Sequence, residues 1–526
     1  MAELNPKAVE TCSPSDGTTR KLAKGEVQEV IYIDAEQERL TLRKFDKYLL
    51  PPLAVILLIA YLDRSNLGNA KVFGFEDGIG LKGNQFNTVS TLFYPTYVLL
   101  ETPWTMAVKR FGAKHVLGVA MIAWSVITLS TGFVQNYSQA IAVRILLGTF
   151  EAGLVPSVVF VISTIWSRED QAKRNAIIYG CNCLSGAFGG LIAYGIETMG
   201  TRRGLEAWRW LFIVEGAFSI VLCGICWCLL PSTAEHAWFL NAEEKALMRA
   251  RKQRDVVNRG DEHFDWKYAR MAFTDACVYV SALAFFCSSI ALFGFGTFLP
   301  TIIKGLGYTS LQANYLTIPV YLFATVTLFI ATAASDRLKK RAVVLVIAPI
   351  PVIIGYVIVC STASHAAGYF AMFLCGSGIY AYNCTILTWV SNNLAPDYKR
   401  SVGVPFFVSL ANVSGVVSSN IYPSTDSPRY LMGNAVSAGM ETLALCGVLA
   451  ICWVLRRREE VKEVLRRQGW WRTGWRGQGA WVCVQSLGSG RAFEFHMQGS
   501  RHISHTMAKM ESSGEKAISK DATLNL

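Results

Sequence analysis

Twelve apolar runs dominate the sequence: residues 47–69, 86–107, 115–134, 138–162, 175–198, 209–230, 274–298, 314–335, 342–361, 367–390, 401–421 and 434–455. A helix of about 20 apolar residues crosses a hydrocarbon layer of about 30 Å and satisfies its backbone hydrogen bonds internally. Strands of a transmembrane barrel alternate apolar and polar residues over about ten positions. These runs are too long and too uniformly apolar for that. The expected fold class is an all-α membrane protein of twelve transmembrane helices.

Composition agrees. Charged residues make up only 17% of the chain and hydrophobic ones 52%, with a mean hydropathy of +0.32. A soluble domain carries about a quarter charged residues. The net charge of +12 is distributed as short clusters between apolar runs, which fits membrane topology and not nucleic-acid binding. The first 45 residues are polar and mixed in charge, with no secretory leader. If this tail is cytosolic, the loops on its side carry about three times as many Lys and Arg as the opposite loops. Both termini are therefore expected in the cytosol. Most of the 14 cysteines sit inside apolar runs, and Cys223 and Cys226 of the CGIC stretch are read as small apolar packing residues, not a redox pair.

The longest internal loop falls between the sixth and seventh runs and divides the chain evenly. The resulting plan is a cytosolic tail at 1–45, a six-helix half at 46–230, a central cytosolic loop at 231–273, a second six-helix half at 274–456 and a cytosolic tail at 457–526. Within the loop, NAEEKALMRARKQRD is expected to form an amphipathic helix on the membrane surface. The halves echo each other. AVKRFGAKHVLG follows the second run and SDRLKKRAVVLV the eighth; TIWSREDQAKRNA follows the fourth and TWVSNNLAPDYKRSV the tenth. Such duplication is common in secondary transporters, which handle substrate where the repeats meet.

Charges inside the runs carry the chemistry. Asp63 and Arg64 follow LLPPLAVILLIAYL, about 20 Å along a helix that starts near Leu49. Ending the first span at Leu62 would place the pair at the interface, but would leave only about fourteen apolar residues to cross. Adjacent helical residues point about a third of a turn apart, so Asp63 and Arg64 should meet different partners. In AVRILLGTFEAGLVPS, Arg144 and Glu151 are two turns apart on one face, about 10 Å from each other. Gly148, Gly153 and Pro156 should thin and bend that helix. Four charges facing lipid would cost on the order of 10 kcal/mol, so they should line a polar cavity and pair there, either as a structural network or as a functional site. A guanidinium offers a carboxylate a planar pair of hydrogen bonds and does not titrate. A carboxyl group removed from water favours its neutral form, so Asp63 or Glu151 can carry a proton. The combination suits uptake of an anion together with protons.

Weaker candidates are Tyr61, Tyr94 and Tyr97 as ligand hydroxyls, and Asn383 and Asn412 as polar groups of the second half. Glu101 and Glu215 are read as helix-packing or gating residues, and the basic clusters at 109–110, 168–174 and 337–341 as topology anchors. No phosphate-binding GxxxxGK[ST] loop occurs, which argues against a nucleotide-driven pump. All seven histidines fall in loops or tails, so an enzyme, a metal site or a cofactor is not expected.

The order LDRSNLGNA, RILLGTFEAGLVPS, WRWLFIVEG, SNNLAPDYKRSVG and PSTDSPRYLMG, across about residues 40–458, resembles the major facilitator superfamily and, within it, the anion:cation symporter family. The fungal permeases for allantoate, nicotinate and pantothenate are the most similar members. That resemblance implies proton sites at Asp63 and Glu151 and substrate contacts at Arg64, Arg144 and Tyr61. Two stretches depart from the family. PWTMAVKRFG lacks the aspartate of the superfamily's gating motif, and the tail from about 465 does not resemble the usual short polar ending. The expected protein is a monomeric proton-coupled importer of a small organic anion at the plasma membrane, with the substrate, protons and lipid as its partners. An uncoupled facilitator or exchanger and a non-transporting nutrient sensor on the same scaffold are the alternatives.

Overall fold

The computed structural model describes residues 33–166, 168–259, 276–338, 340–362, 364–393 and 397–467. These residues are helical almost throughout. Span 1 is Leu50–Val72, with Pro51 and Pro52 in its first turn, where their missing N–H groups leave no bond unmade. Span 2 is built in two pieces, Gln85–Thr91 and Phe93–Phe111. Gly112, at φ 85°, is the single residue between span 2 and span 3, Ala113–Thr131. Span 4 begins on the Asn136 side-chain cap and is also divided, into Tyr137–Glu151 and Leu154–Ile165. Span 5 is Arg168–Glu197 and span 6 is Ala207–Leu229.

The second set comprises span 7, Ala276–Gly305; span 8, Ser310–Leu338; span 9, Arg341–Ile347 with Pro349–Ser361; span 10, His365–Asn393; span 11, Asp397–Asn420; and span 12, Leu431–Arg467. Among the described residues, ten helical stretches are long and apolar enough to cross a membrane. Spans 2 and 11, which are more polar, complete the twelve. Residues from Leu455 form a second unit, whose described part is helical, with Arg457 4.0 Å from Glu460. The unusual sequence beyond Arg467 and the loop segment 260–275 lie outside the described residues.

The polar tail ends in a helix, Ala35–Tyr48, that the apolar pattern does not announce. It is tied to the central-loop helix Ala242–Arg259: Lys44 lies 2.8 Å from Glu244, and Glu38 meets both Arg251 at 3.1 Å and Arg254 at 3.0 Å. The loop helix therefore has a protein partner on one side. Arg174, at the start of span 5, adds a pair of hydrogen bonds to Asp46.

Spans 3, 6, 9 and 12 expose large apolar side chains, among them Val119, Phe218, Ile350 and Leu443. In a bilayer these faces meet lipid. Spans 1, 2 and 5 pack on spans 7, 11 and 8, and span 5 also touches span 10, so the two halves meet along these pairs. At the end holding residues 68–91 the junction is closed. A Cβ on Gly68 would lie 1.8 Å from the Thr297 carbonyl oxygen, so only glycine permits this approach of span 1 to span 7. Around it, Ser90 and Ser419 share a hydrogen bond of 3.0 Å, Asn420 donates to Thr91 at 2.9 Å, and Lys304 donates to the Val72 carbonyl at 3.2 Å. Further along the same face of span 1, Ala54, Leu58, Tyr61 and Ser65 are only half-buried. The junction is shut at the Gly68 end and looser toward Ala54.

Candidate functional site

Spans 1, 2, 3 and 4 converge on the charged residues. Gly148 lets span 4 abut span 2, since a Cβ there would meet the Phe93 carbonyl oxygen at 2.4 Å. Trp104 of span 2 caps the break in span 4: its indole N–H donates to the Thr149 carbonyl at 2.7 Å, and its ring fills the space beside Gly153. The expected bend is thus a helix break at Ala152–Gly153, directly after Glu151.

Asp63 and Arg64 do meet different partners. Asp63 is 1% exposed, and its Oδ2 accepts from Trp124 Nε1 at 3.0 Å and Thr128 Oγ1 at 3.2 Å, both on span 3. Oδ1 has no hydrogen-bond partner. Arg64 turns the other way and donates from Nη2 to Glu151 Oε1. Its guanidinium lies 4.8 Å from the ring centre of Phe93, 5.1 Å from that of Tyr97 and 5.6 Å from that of Tyr61. Three aromatic faces around one cation stabilise its charge away from water. Tyr61 and Tyr97 thus offer Arg64 their rings.

Arg144 is 4% exposed, and its Nη2 has no hydrogen-bond partner; the charges acting on it include Glu151 and Asp63. Glu151, 1% exposed, leaves Oε2 unpartnered, and Arg64 leaves Nε unpartnered. The cluster therefore presents two free guanidinium donors and two free carboxyl acceptors. Buried polar atoms without partners are uncommon and mark places where something else binds or where a proton moves. Asp63 has no ion pair with Arg144, so the facing pairs expected from sequence resolve into one ion pair, Arg64–Glu151, and one acid held by neutral donors.

The two asparagines stand apart from this cluster. Asn383 is fully buried within the second half: it accepts from Ser289 Oγ at 3.1 Å and donates to Ser288 Oγ at 3.0 Å and to the Ile379 carbonyl at 2.8 Å. Asn412 joins the halves, donating to Glu101 of span 2 at 3.4 Å beside Ser409, which donates to the same oxygen at 3.4 Å. Neither shares a hydrogen bond with Asp63, Arg64, Arg144 or Glu151. Trp124, Thr128 and Phe93 belong to the site but were not anticipated. The four-residue spacing of Trp124 and Thr128 in span 3 was the available signal.

Residues 53–419 match the family model described as Major Facilitator Superfamily. An uncharacterized transporter of Schizosaccharomyces pombe is 39% identical over 77% of this chain and 82% of its own length. The high-affinity nicotinic acid transporter of Saccharomyces cerevisiae is 33% identical over 81% of this chain and 80% of its own. Among solved structures, a D-xylose-proton symporter superposes with a TM-score of 0.59 at 13% identity, over 77% of this chain and 97% of that one, which shows a shared fold. With the twelve helices already described, these similarities make the chain a member of the Major Facilitator Superfamily, a multi-pass membrane transporter of small molecules and not an enzyme.

Proposed function

We propose that the protein imports a small organic anion together with protons, by alternating access of one site to the two sides of the plasma membrane. The observation that carries this reading is the Arg64–Glu151 ion pair. A substrate carboxylate and the Glu151 carboxylate compete for the same guanidinium. Protonation of Glu151 removes its claim on Arg64 and frees the planar donor pair for the substrate. The anion then replaces the charge that the proton cancelled, so the site moves without an unpaired buried charge. Arg144, with its free Nη2, is the second anion anchor, and Tyr61 lies against Arg64. Asp63 is the second proton carrier. Asn383 and Asn412 are the polar wall of the second half, available once their present hydrogen bonds are exchanged.

With both termini in the cytosol, the closed Gly68 end faces outward and the looser end inward. The nicotinic acid transporter among the relatives supports a carboxylate of that size and flatness. A monomer suffices, since every proposed contact comes from one chain.

Uptake of labelled carboxylates in cells lacking their own permeases, with and without an imposed proton gradient, tests the proposal. Accumulation of at least one carboxylate that collapses when the gradient is dissipated is the expected result. Equilibration without accumulation would make the protein a facilitator, and no uptake of any carboxylate would remove the anion assignment.

A further inference from the structure

Span 2 carries an acid that the cycle just described does not use. Glu101 is 7% exposed, and its Oε2 accepts from Ser409 Oγ and from Asn412 Nδ2, both of span 11, at 3.4 Å each. Among the described residues its carboxyl has no ion pair and no other hydrogen bond. A carboxylate of the first half thus sits on a pair of neutral donors supplied by the second.

The register of the two spans fixes where this contact lies. As residue numbers rise along span 2, their partners fall along span 11. Asn87 meets Tyr422, Ser90 meets Ser419, Tyr94 lies against Gly415, and Glu101 meets Asn412 and Ser409. A Cβ on Gly415 would lie 2.0 Å from a carbon of the Tyr94 ring, so the antiparallel spans touch directly at that level. Glu101 follows Tyr97 by four residues, about one turn or 6 Å along the same helix face. The Tyr97 ring centre is in turn 5.1 Å from the Arg64 guanidinium. Arg64 and the Ser409–Asn412 donors therefore flank one tyrosine, on the order of 10 Å apart.

The two places are built alike. The Glu151 carboxylate occupies Arg64, and the Glu101 carboxylate occupies Ser409 and Asn412. In each, a side-chain oxygen fills donors that a ligand oxygen can take. The second hold is the looser one. Both of its bonds are longer than the usual range of about 2.7–3.2 Å. Ser409 and Asn412 are only half-buried, and the amide of Asn412 gives just one of its two N–H groups. A ligand acceptor at about 2.9 Å bonds these donors better than Glu101 does.

We propose that Ser409 and Asn412 form a second substrate subsite, filled here by Glu101 as an internal stand-in, and that the substrate is a small anion with a hydrogen-bond acceptor at the end opposite its carboxylate. The carboxylate goes to Arg64. The acceptor (a carbonyl or carboxylate oxygen, or a ring nitrogen) displaces Glu101 from the span 11 donors. Such a molecule ties one half to the other, whereas a carboxylate without the second acceptor leaves Glu101 in place. The inference rests on the anion-import reading above and narrows its substrate class.

The test compares carboxylates of one shape that differ in the second acceptor, nicotinate with benzoate and 4-oxopentanoate with pentanoate. Each competes for uptake of whichever labelled carboxylate the protein accumulates. Wild type should favour the acceptor-bearing member of at least one pair about tenfold, the effect of two neutral hydrogen bonds. Ser409→Ala and Asn412→Ala should each lower that ratio about threefold or more. Glu101→Ala should raise it severalfold by vacating the donors, a selective gain in affinity that a merely structural role does not produce. The ratio does not depend on how much protein reaches the membrane, and Ser409→Ala carries the test if Asn412→Ala does not fold. Equal affinities within both pairs in wild type, or a preference unchanged in the variants, would overturn the subsite while leaving anion import intact. No uptake of any carboxylate would overturn the import reading, and the subsite with it.

Discussion

The first and last six spans both bury polar side chains, but with different chemistry. The first six hold Asp63, Arg64, Arg144, Glu151 and Glu215, and every one of them has at least one polar atom without a partner. Among the described residues, the corresponding interior of the last six holds Ser288, Ser289, Asn383 and one buried acid, Glu441, linked in a row by hydrogen bonds of 2.8–3.1 Å, with Glu441 Oε2 left without a partner. A largely neutral, hydrogen-bonded network rigidifies, whereas several charged groups with open valences can exchange partners. On the proposed function, the moving charges belong to the first half and the second half is mainly a supporting frame.

The sharpest way to break this comparison is Glu151→Gln. The amide competes weakly for Arg64 and carries no proton, so gradient-driven accumulation should be lost entirely while exchange of labelled for unlabelled substrate persists. Unimpaired accumulation would take the coupling role away from the first half. Arg64→Lys comes next: a point charge replaces the planar fork and its stacking on Phe93 and Tyr97, and apparent affinity should fall about tenfold or more. An unchanged half-saturation constant would transfer substrate recognition to Arg144. Asn383→Ala should act on stability instead, lowering it by about 1–3 kcal/mol through the unmade bonds of Ser288 and Ser289. A thermal-melting series on purified protein reads this, and a large loss of affinity with no change in melting would leave Asn383 in the substrate wall alone and remove it from the frame. Glu441→Gln should do least. Ser288 does not titrate and can donate to an amide oxygen as it does to the acid, so the pH profile of uptake should stay in place.

Much of this was legible in the sequence, for a simple physical reason. Lipid forces each span to be written as an uninterrupted apolar run, so the helices could be counted, and a charge within such a run stands out against its surroundings. That made Asp63, Arg64, Arg144 and Glu151 visible, and the angle between adjacent helical residues separated the partners of the first two. The partners themselves were not legible. Whether Asp63 meets Arg144 or the Trp124–Thr128 pair depends on how span 3 is rotated, which no local pattern states. Gly148, Gly153 and Pro156 announced an irregular span 4, but the break at Ala152–Gly153 needed Trp104 from another helix to define it. Glu215 could be seen, but a lone acid in an apolar run reads the same whether it packs or titrates. The helix Ala35–Tyr48 was hidden because its stabilising contacts are ion pairs with residues some two hundred positions away.

The closure around Gly68 has a consequence for how it opens. Among the described residues no ion pair joins the two halves at that end; the contacts there are a carbonyl oxygen against a bare Cα and hydrogen bonds of 2.9–3.5 Å such as Asn420–Thr91 and Asn87–Tyr422. Each such bond is worth about 0.5–1.5 kcal/mol net, and water can take over either partner as the surfaces separate. A door of this kind swings without a latch. On the proposed function, such a door closes by packing and hydrogen bonds alone and leaves the decision to open with the charge state of the site beneath it.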